Sequence, residues 1–124
     1  MIKKRPKHLA LLQIKLPLPG IVSILHRISG VLLFFALPLL LLLLQYSLNS
    51  IETHTALMNA LAHPLAKLSL LAAAWAFLHH FCAGLRYLAI DLHYLSGLAQ
   101  ARASSVWVML VSLALTALLG AKLW

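Results

Sequence analysis

Three long runs without charged side chains most constrain what this sequence can fold into. Residues 28–44 are mostly Leu, Phe and Val, residues 68–85 are rich in Leu and Ala, and residues 103–121 are predominantly apolar. A helix of about 20 apolar residues spans the hydrocarbon core of a bilayer, and each run reaches that length with its flanks. Because backbone groups in lipid must bond to one another, the sequence predicts an all-α integral membrane protein. The three predicted transmembrane helices span about residues 21–46, 64–93 and 104–123.

The composition agrees with a membrane location. Hydrophobic residues make up 63% of the 124 residues, and only Glu52 and Asp91 are acidic. Soluble domains are about 45–50% apolar, so a water-facing surface is not expected. A cleaved signal peptide is the main alternative for the first run, because "KKRPK" resembles a basic leader. The run starts too late and is too long, and no small-residue cleavage site precedes the polar "NSIETHT".

Basic residues predict the orientation. The connection at residues 47–64 contains no Lys or Arg, whereas Arg86 and Arg102 flank the second connection. Five basic residues precede the first helix: Lys3, Lys4, Arg5, Lys7 and Lys15. The positive-inside rule therefore places the N-terminus and the second connection in the cytoplasm. We expect residues 1–20 to form a basic cytoplasmic segment on the membrane surface, followed by a transmembrane domain at residues 21–124. The charge pattern forms no stripe that would bind nucleic acid.

Ionisable residues within the second helix are the strongest indication of a functional site, because such groups are costly in lipid and usually face a bundle interior. At about 100° per residue, two faces separate. One face carries His80, Gly84, Tyr87 and Asp91. The other face carries His79, Cys82 and Arg86. Gly84 lies one turn from His80 and would let a large flat group approach closely.

The first helix carries a matching polar set, with Ser23, Arg27, Gly30 and Phe34 on one face and His26 on its flank. His80 lies about 16 Å along the helix axis from Asp91, which places His80 near the middle of the membrane. The cationic residues of the two helices lie nearer the cytoplasmic boundary. This arrangement suits haem b. A neutral imidazole ligates iron, desolvation keeps the imidazole neutral, and Arg or protonated His pairs with propionates. On position alone, the alternative is a neutral histidine that is hydrogen-bonded between helices.

Two motifs carry a family resemblance. The segment "SILHRISG", followed on the next helix by "H-x-x-x-G-L-R-x-x-x-x-D", resembles the cytochrome b-type large membrane-anchor subunit of succinate dehydrogenase, respiratory complex II. The resemblance covers essentially the whole chain, including the "RP" near its N-terminus. It implies a subunit that is not an enzyme alone and that lies in a bacterial inner membrane. The implied partners are a small membrane-anchor subunit, an iron–sulfur subunit and a flavoprotein subunit.

The resemblance also implies roles for individual residues. His80 matches the axial ligand of a haem b whose second ligand comes from the small anchor subunit. Ser23 and Arg27 match positions of the ubiquinone site, and His26 and Arg27 match positions near the haem propionates. Tyr87 departs from the family pattern, in which many members have histidine after the motif arginine. A phenol cannot supply a positive charge to a propionate.

The remaining polar residues receive less specific predictions. His79 is expected to contact another helix or a partner subunit, and Arg86 to anchor at the membrane interface, paired with Asp91. Three further histidines are assigned to loops: His54, His63 and His93.

Two other functions remain as alternatives. The anchor of a quinol:fumarate reductase would have similar features. A small multidrug transporter has a similar length, but it needs a carboxylate within the membrane, and the one candidate, Asp91, lies at a helix end.

Overall fold

A computed structural model describes residues 15–124, and the chain is helical through most of that range. The helices are α1 (Leu18–Asn49), α2 (Ile51–Leu61), α3 (Pro64–Asp91) and α4 (Leu98–Leu123). Helices α1, α3 and α4 are long and apolar enough to cross a membrane. The all-α fold with three transmembrane helices is therefore confirmed. Most of the predicted basic surface segment, residues 1–14, lies outside the described residues.

Helix α1 is longer at both ends than the apolar run indicates. It begins at Leu18, directly after Pro17, and Pro19 lies in its first turn. Proline is tolerated there because the first backbone N–H groups of a helix have no partner within the helix. Pro38 also lies inside α1.

The connection between the first two spans contains a helix that the sequence did not indicate. Helix α2 is 11 residues long and starts with a capping box. The Thr53 N–H donates to Ser50 Oγ at 3.2 Å, and the Ser50 N–H donates to Thr53 Oγ1 at 3.0 Å. Such reciprocal bonds satisfy donors that a helix start otherwise leaves unpaired.

The three histidines that were assigned to loops have definite positions. The loop assignment of His54 is wrong, because it lies in α2 with its Nδ1 2.9 Å from Ser47 Oγ. His63 caps α3 by accepting a hydrogen bond from the Leu65 N–H at 3.2 Å. His93 follows α3 in the left-handed region, with a φ of 63°.

Small and polar residues line the contacts among the three long helices. Val22, Ala83 and Val108 form the centre, and α4 faces its neighbours with Ser105, Val108, Ser112 and Thr116. Large apolar side chains point outward instead. Phe34, for example, is 73% exposed. Close packing through small residues with bulky groups outside is typical of helices in lipid, where burying apolar side chains between helices gains little.

Candidate functional site

The imidazole of His80 faces α1 and is held through one of its two nitrogens. Its Nδ1 lies 3.1 Å from the His26 carbonyl oxygen and 3.2 Å from Ser29 Oγ. Because a carbonyl oxygen can only accept, Nδ1 carries a ring proton, and in the neutral imidazole the lone pair is then on Nε2. Within residues 15–124, no hydrogen-bond partner lies near Nε2. On this half-buried ring, the Nε2 lone pair is therefore available to bind a metal.

Gly30 provides the space that this ring occupies. A Cβ atom at position 30 would lie 3.0 Å from His80 Cε1 and 3.4 Å from Nδ1. At Gly84 the nearest such contact is His26 Nε2 at 3.9 Å, an ordinary van der Waals separation. Within this chain, the close approach to the His80 ring therefore requires Gly30. The surface at Gly84 is left open, as a flat ligand would need.

His26 lies directly against His80. The two imidazole rings stack with centroids 4.2 Å apart and planes 15° apart. The Tyr87 ring lies 5.2 Å from that of His26, tilted by 45°. The departure from histidine at position 87 thus places a phenol beside His26.

The polar residues of α1 face two different directions. His26, Ser29 and Gly30 face α3, as their contacts with His80 show. Arg27 is exposed and Ser23 is half-buried. For Arg27, no hydrogen-bond partner is found in the described part of the chain. The structure thus brings His26 and His80 together, whereas Arg27 is exposed on α1 and Ser23 is partly exposed.

An apolar groove continues along the cleft between α1 and α3. Its volume is about 320 Å³, and it is lined by Leu32, Leu33, Ala36, Ser69, Ala72, Ala73 and Ala76. Ala76 and Ala73 precede His80 by four and seven residues, so they share its helix face. The small side chains of α3 therefore leave an apolar groove on the face of His80 that begins one turn away, at Ala76.

His79 is buried inside the bundle of this same chain. Its exposed fraction is 0%, and neither ring nitrogen has a hydrogen-bond partner in the described residues. The Trp75 ring lies 5.3 Å away. His79 was predicted to contact either another helix or a partner subunit, and the structure supports contact with another helix. A ligand that approaches from outside reaches His80 and not His79.

The prediction for Arg86 as an interface anchor paired with Asp91 is wrong. Arg86 is only 7% exposed. Its Nε donates to Ser104 Oγ at 3.0 Å, and a terminal N–H donates to the Ala101 carbonyl oxygen at 3.3 Å. Arg86 lies on the inner face of α3, where α4 supplies closer acceptors than the exposed Asp91.

Comparison with known proteins gives the family. Residues 1–119 match the family described as Succinate dehydrogenase/Fumarate reductase transmembrane subunit. The chain belongs to this family. The resemblance recognised in the two motifs is therefore confirmed, and the chain is a membrane subunit of this type of complex. The multidrug-transporter alternative has no support from this membership.

Several relatives share the length as well as the sequence. The chain is 37% identical to the succinate dehydrogenase cytochrome b556 subunit of Coxiella burnetii over 100% of both chains. It is 33% identical to the protein of that name in Rickettsia felis, over 94% of this chain and 90% of the relative. For the Rickettsia typhi protein, the identity is 31% over the same shares. The matched regions thus span both α1 and α3.

Sequence reasoning missed the roles of two residues of the site. Ser29 was not singled out and Gly30 was grouped with Arg27, and their contacts with His80 emerge only from the structure. The signal in the sequence was weak: both follow His26 by about one turn, which places them on its side of α1.

Proposed function

We propose that this chain is the large membrane anchor of a succinate:ubiquinone oxidoreductase, and that it holds one haem b together with a smaller anchor subunit. Family membership and the cytochrome b556 names of the relatives support the anchor and the haem. The observation that carries the proposal is the hydrogen bonding of the His80 imidazole. Its Nδ1 is hydrogen-bonded within the chain, and its Nε2 lone pair is available on an open face.

The residues present fit a b-type haem. His80 would supply one imidazole to the iron, and the smaller anchor subunit would supply the other ligand. The groove on the same face of α3, which begins one turn from His80 at Ala76, would offer apolar walls to the macrocycle. His26 and Arg27 lie toward the N-terminal end of α1, where they would pair with the propionates. When bound, the haem supplies a centre that takes up and releases single electrons.

Ser23 and Arg27 form this chain's part of the ubiquinone site. Both lie within three turns of the start of α1, with Arg27 exposed and Ser23 half-buried. The Arg27 guanidinium donates to a quinone oxygen and favours the negative charge that develops on reduction. The Ser23 hydroxyl donates a second hydrogen bond and orients the ring.

The partners attach at the cytoplasmic end. The described basic residues near the start of α1, the end of α3 and the start of α4 are Lys15, Arg27, Arg86 and Arg102. At the other end lie Lys67 and Lys122, with Lys67 5.2 Å from the Trp124 ring centroid. By the positive-inside rule, the end with four basic residues faces the cytoplasm. The iron–sulfur subunit binds there, next to Arg27, and carries the flavoprotein subunit that oxidises succinate.

Replacement of His80 by alanine tests the haem assignment. In the purified complex, we expect the reduced-minus-oxidised absorption signal of haem b to weaken and shift, because one axial ligand is lost. His54→Ala is the matched control, because it removes an exposed histidine of α2, and it should leave the spectrum unchanged. A wild-type complex without haem, or a His80→Ala spectrum identical to wild type, would contradict the proposal.

Replacement of Arg27 by leucine tests the quinone assignment. We expect ubiquinone reduction to fall about tenfold, the loss that corresponds to one charge-assisted hydrogen bond of about 1.5 kcal/mol. Succinate oxidation by an artificial dye should be retained, since the dye takes electrons before the quinone site. Arg102→Leu removes another exposed arginine and serves as the control. Equal ubiquinone turnover in the Arg27→Leu and wild-type complexes would exclude Arg27 from the site.

A further inference from the structure

We propose that Ser29 is a positioning residue for the His80 imidazole: its buried hydroxyl helps to hold the ring in the orientation that directs Nε2 toward iron. This inference rests on the proposed haem site. It concerns a residue that would touch neither the iron nor the macrocycle and would act through His80.

The Ser29 hydroxyl joins two groups of the site. It donates to the His26 carbonyl oxygen at 2.9 Å and lies 3.2 Å from His80 Nδ1. The same carbonyl oxygen lies 3.1 Å from Nδ1. Because the hydroxyl proton is directed to the carbonyl, the oxygen lone pair is left to accept from the Nδ1–H group. The ring proton is thus shared between two acceptors.

Two acceptors constrain the ring more than one does. A single carbonyl would hold Nδ1 but would permit the ring to swing about that contact. The second acceptor, together with the close approach of Gly30 to Cε1, restricts this motion. Hydrogen bonds from the second ring nitrogen orient a metal-bound imidazole and raise its basicity.

Burial makes this role specific to Ser29. The residue is 1% exposed, so neither bulk water nor a partner subunit can readily reach the position of its hydroxyl to replace the missing acceptor. A more basic imidazole stabilises oxidised iron more than reduced iron. Loss of the hydroxyl should therefore raise the midpoint potential of the haem.

The experiment compares three variants of the complete complex. Ser29→Ala removes the hydroxyl, Ser29→Thr retains it, and Ser112→Ala removes a buried hydroxyl of α4 whose Oγ bonds the Met109 carbonyl. The measurements are the haem midpoint potential, the low-spin electron paramagnetic resonance signal, and the rate of haem transfer to excess apomyoglobin. For Ser29→Ala, we expect a higher potential, an altered signal and about tenfold faster haem release. Ser29→Thr and Ser112→Ala should resemble wild type.

The outcomes separate this inference from the proposed function. If wild type contains haem b and His80→Ala alters it, but Ser29→Ala matches wild type in all three measurements, the positioning role is wrong while the haem site stands. If Ser29→Ala and Ser29→Thr change the haem equally, the position is sensitive to packing and not to the hydroxyl, which also overturns the role. A wild-type complex without haem would overturn the proposed function itself.

Discussion

Replacement of Gly30 by valine is expected to abolish most of the haem b signal of the complex. A Cβ atom alone would lie 3.0 Å from His80 Cε1, and the two methyl groups of valine would come still closer to the ring. The imidazole would have to rotate away from its Nδ1 contacts, or α1 would have to separate from α3. Loss of such supporting contacts typically lowers metal affinity by about 10- to 100-fold, and here the ligand itself is displaced. We expect a loss at least as large as that for His80→Ala, because in both variants the imidazole is absent from its position.

The same substitution at Gly20 provides the control. Gly20 also lies in α1, but among the described residues the nearest contacts of a Cβ atom there are with Leu16 and Pro17, at 3.8 Å. Gly20→Val therefore carries the same change in side chain without the contact to the imidazole. Haem content per complex, measured from the pyridine haemochrome spectrum, compares the two variants. Equal haem content in Gly30→Val and wild type would show that α1 does not confine His80.

The sequence was sufficient to predict the spans and the faces of α3. Charge-free apolar length alone indicates a membrane helix, because lipid imposes one length and one backbone geometry. The 100° rotation per residue then separates His79 and Arg86 from His80 and Tyr87. The structure shows the same division: His79 and Arg86 are buried, whereas His80 and Tyr87 are half-buried.

The contacts between helices could not be predicted in the same way. Helical periodicity determines which residues of one helix share a face. It does not determine which face is turned toward the neighbouring helix. The sequence therefore grouped Gly30 with Arg27, whereas in the structure Gly30 faces His80 and Arg27 faces outward.

Arg86 and α2 show two further limits of sequence reasoning. Long basic side chains near helix ends usually reach the membrane interface, and the acceptors on α4 that retain Arg86 are not visible from its own helix. Helix α2 has few apolar residues at helical spacing, and it begins at a capping box that resembles an ordinary polar connection.

Replacement of Arg86 by alanine is expected to lower the stability of the subunit by about 2–4 kcal/mol. The Arg86 guanidinium makes two hydrogen bonds to the first turns of α4, to Ser104 Oγ and the Ala101 carbonyl oxygen. Hydrogen bonds from charged groups contribute about 1.5–3 kcal/mol each, and the alanine would also leave a cavity between α3 and α4. Removal of a buried charge offsets part of this loss. The amount of assembled complex in membranes should therefore fall several-fold.

Arg102→Ala distinguishes this effect from a loss of charge. Arg102 lies in the same first turns of α4 but is exposed, and exposed substitutions usually change stability by less than about 0.5 kcal/mol. Both variants remove one positive charge from the end predicted to be cytoplasmic, so any effect on orientation in the membrane is shared. Quantitative immunoblots of membranes, combined with succinate–dye activity, measure assembly for each. If the two variants accumulate equally, the bonds from Arg86 to α4 contribute little. If only Arg86→Ala is depleted, this buried arginine joins the last turns of α3 to the start of α4, close to the end where the catalytic subunits are proposed to bind.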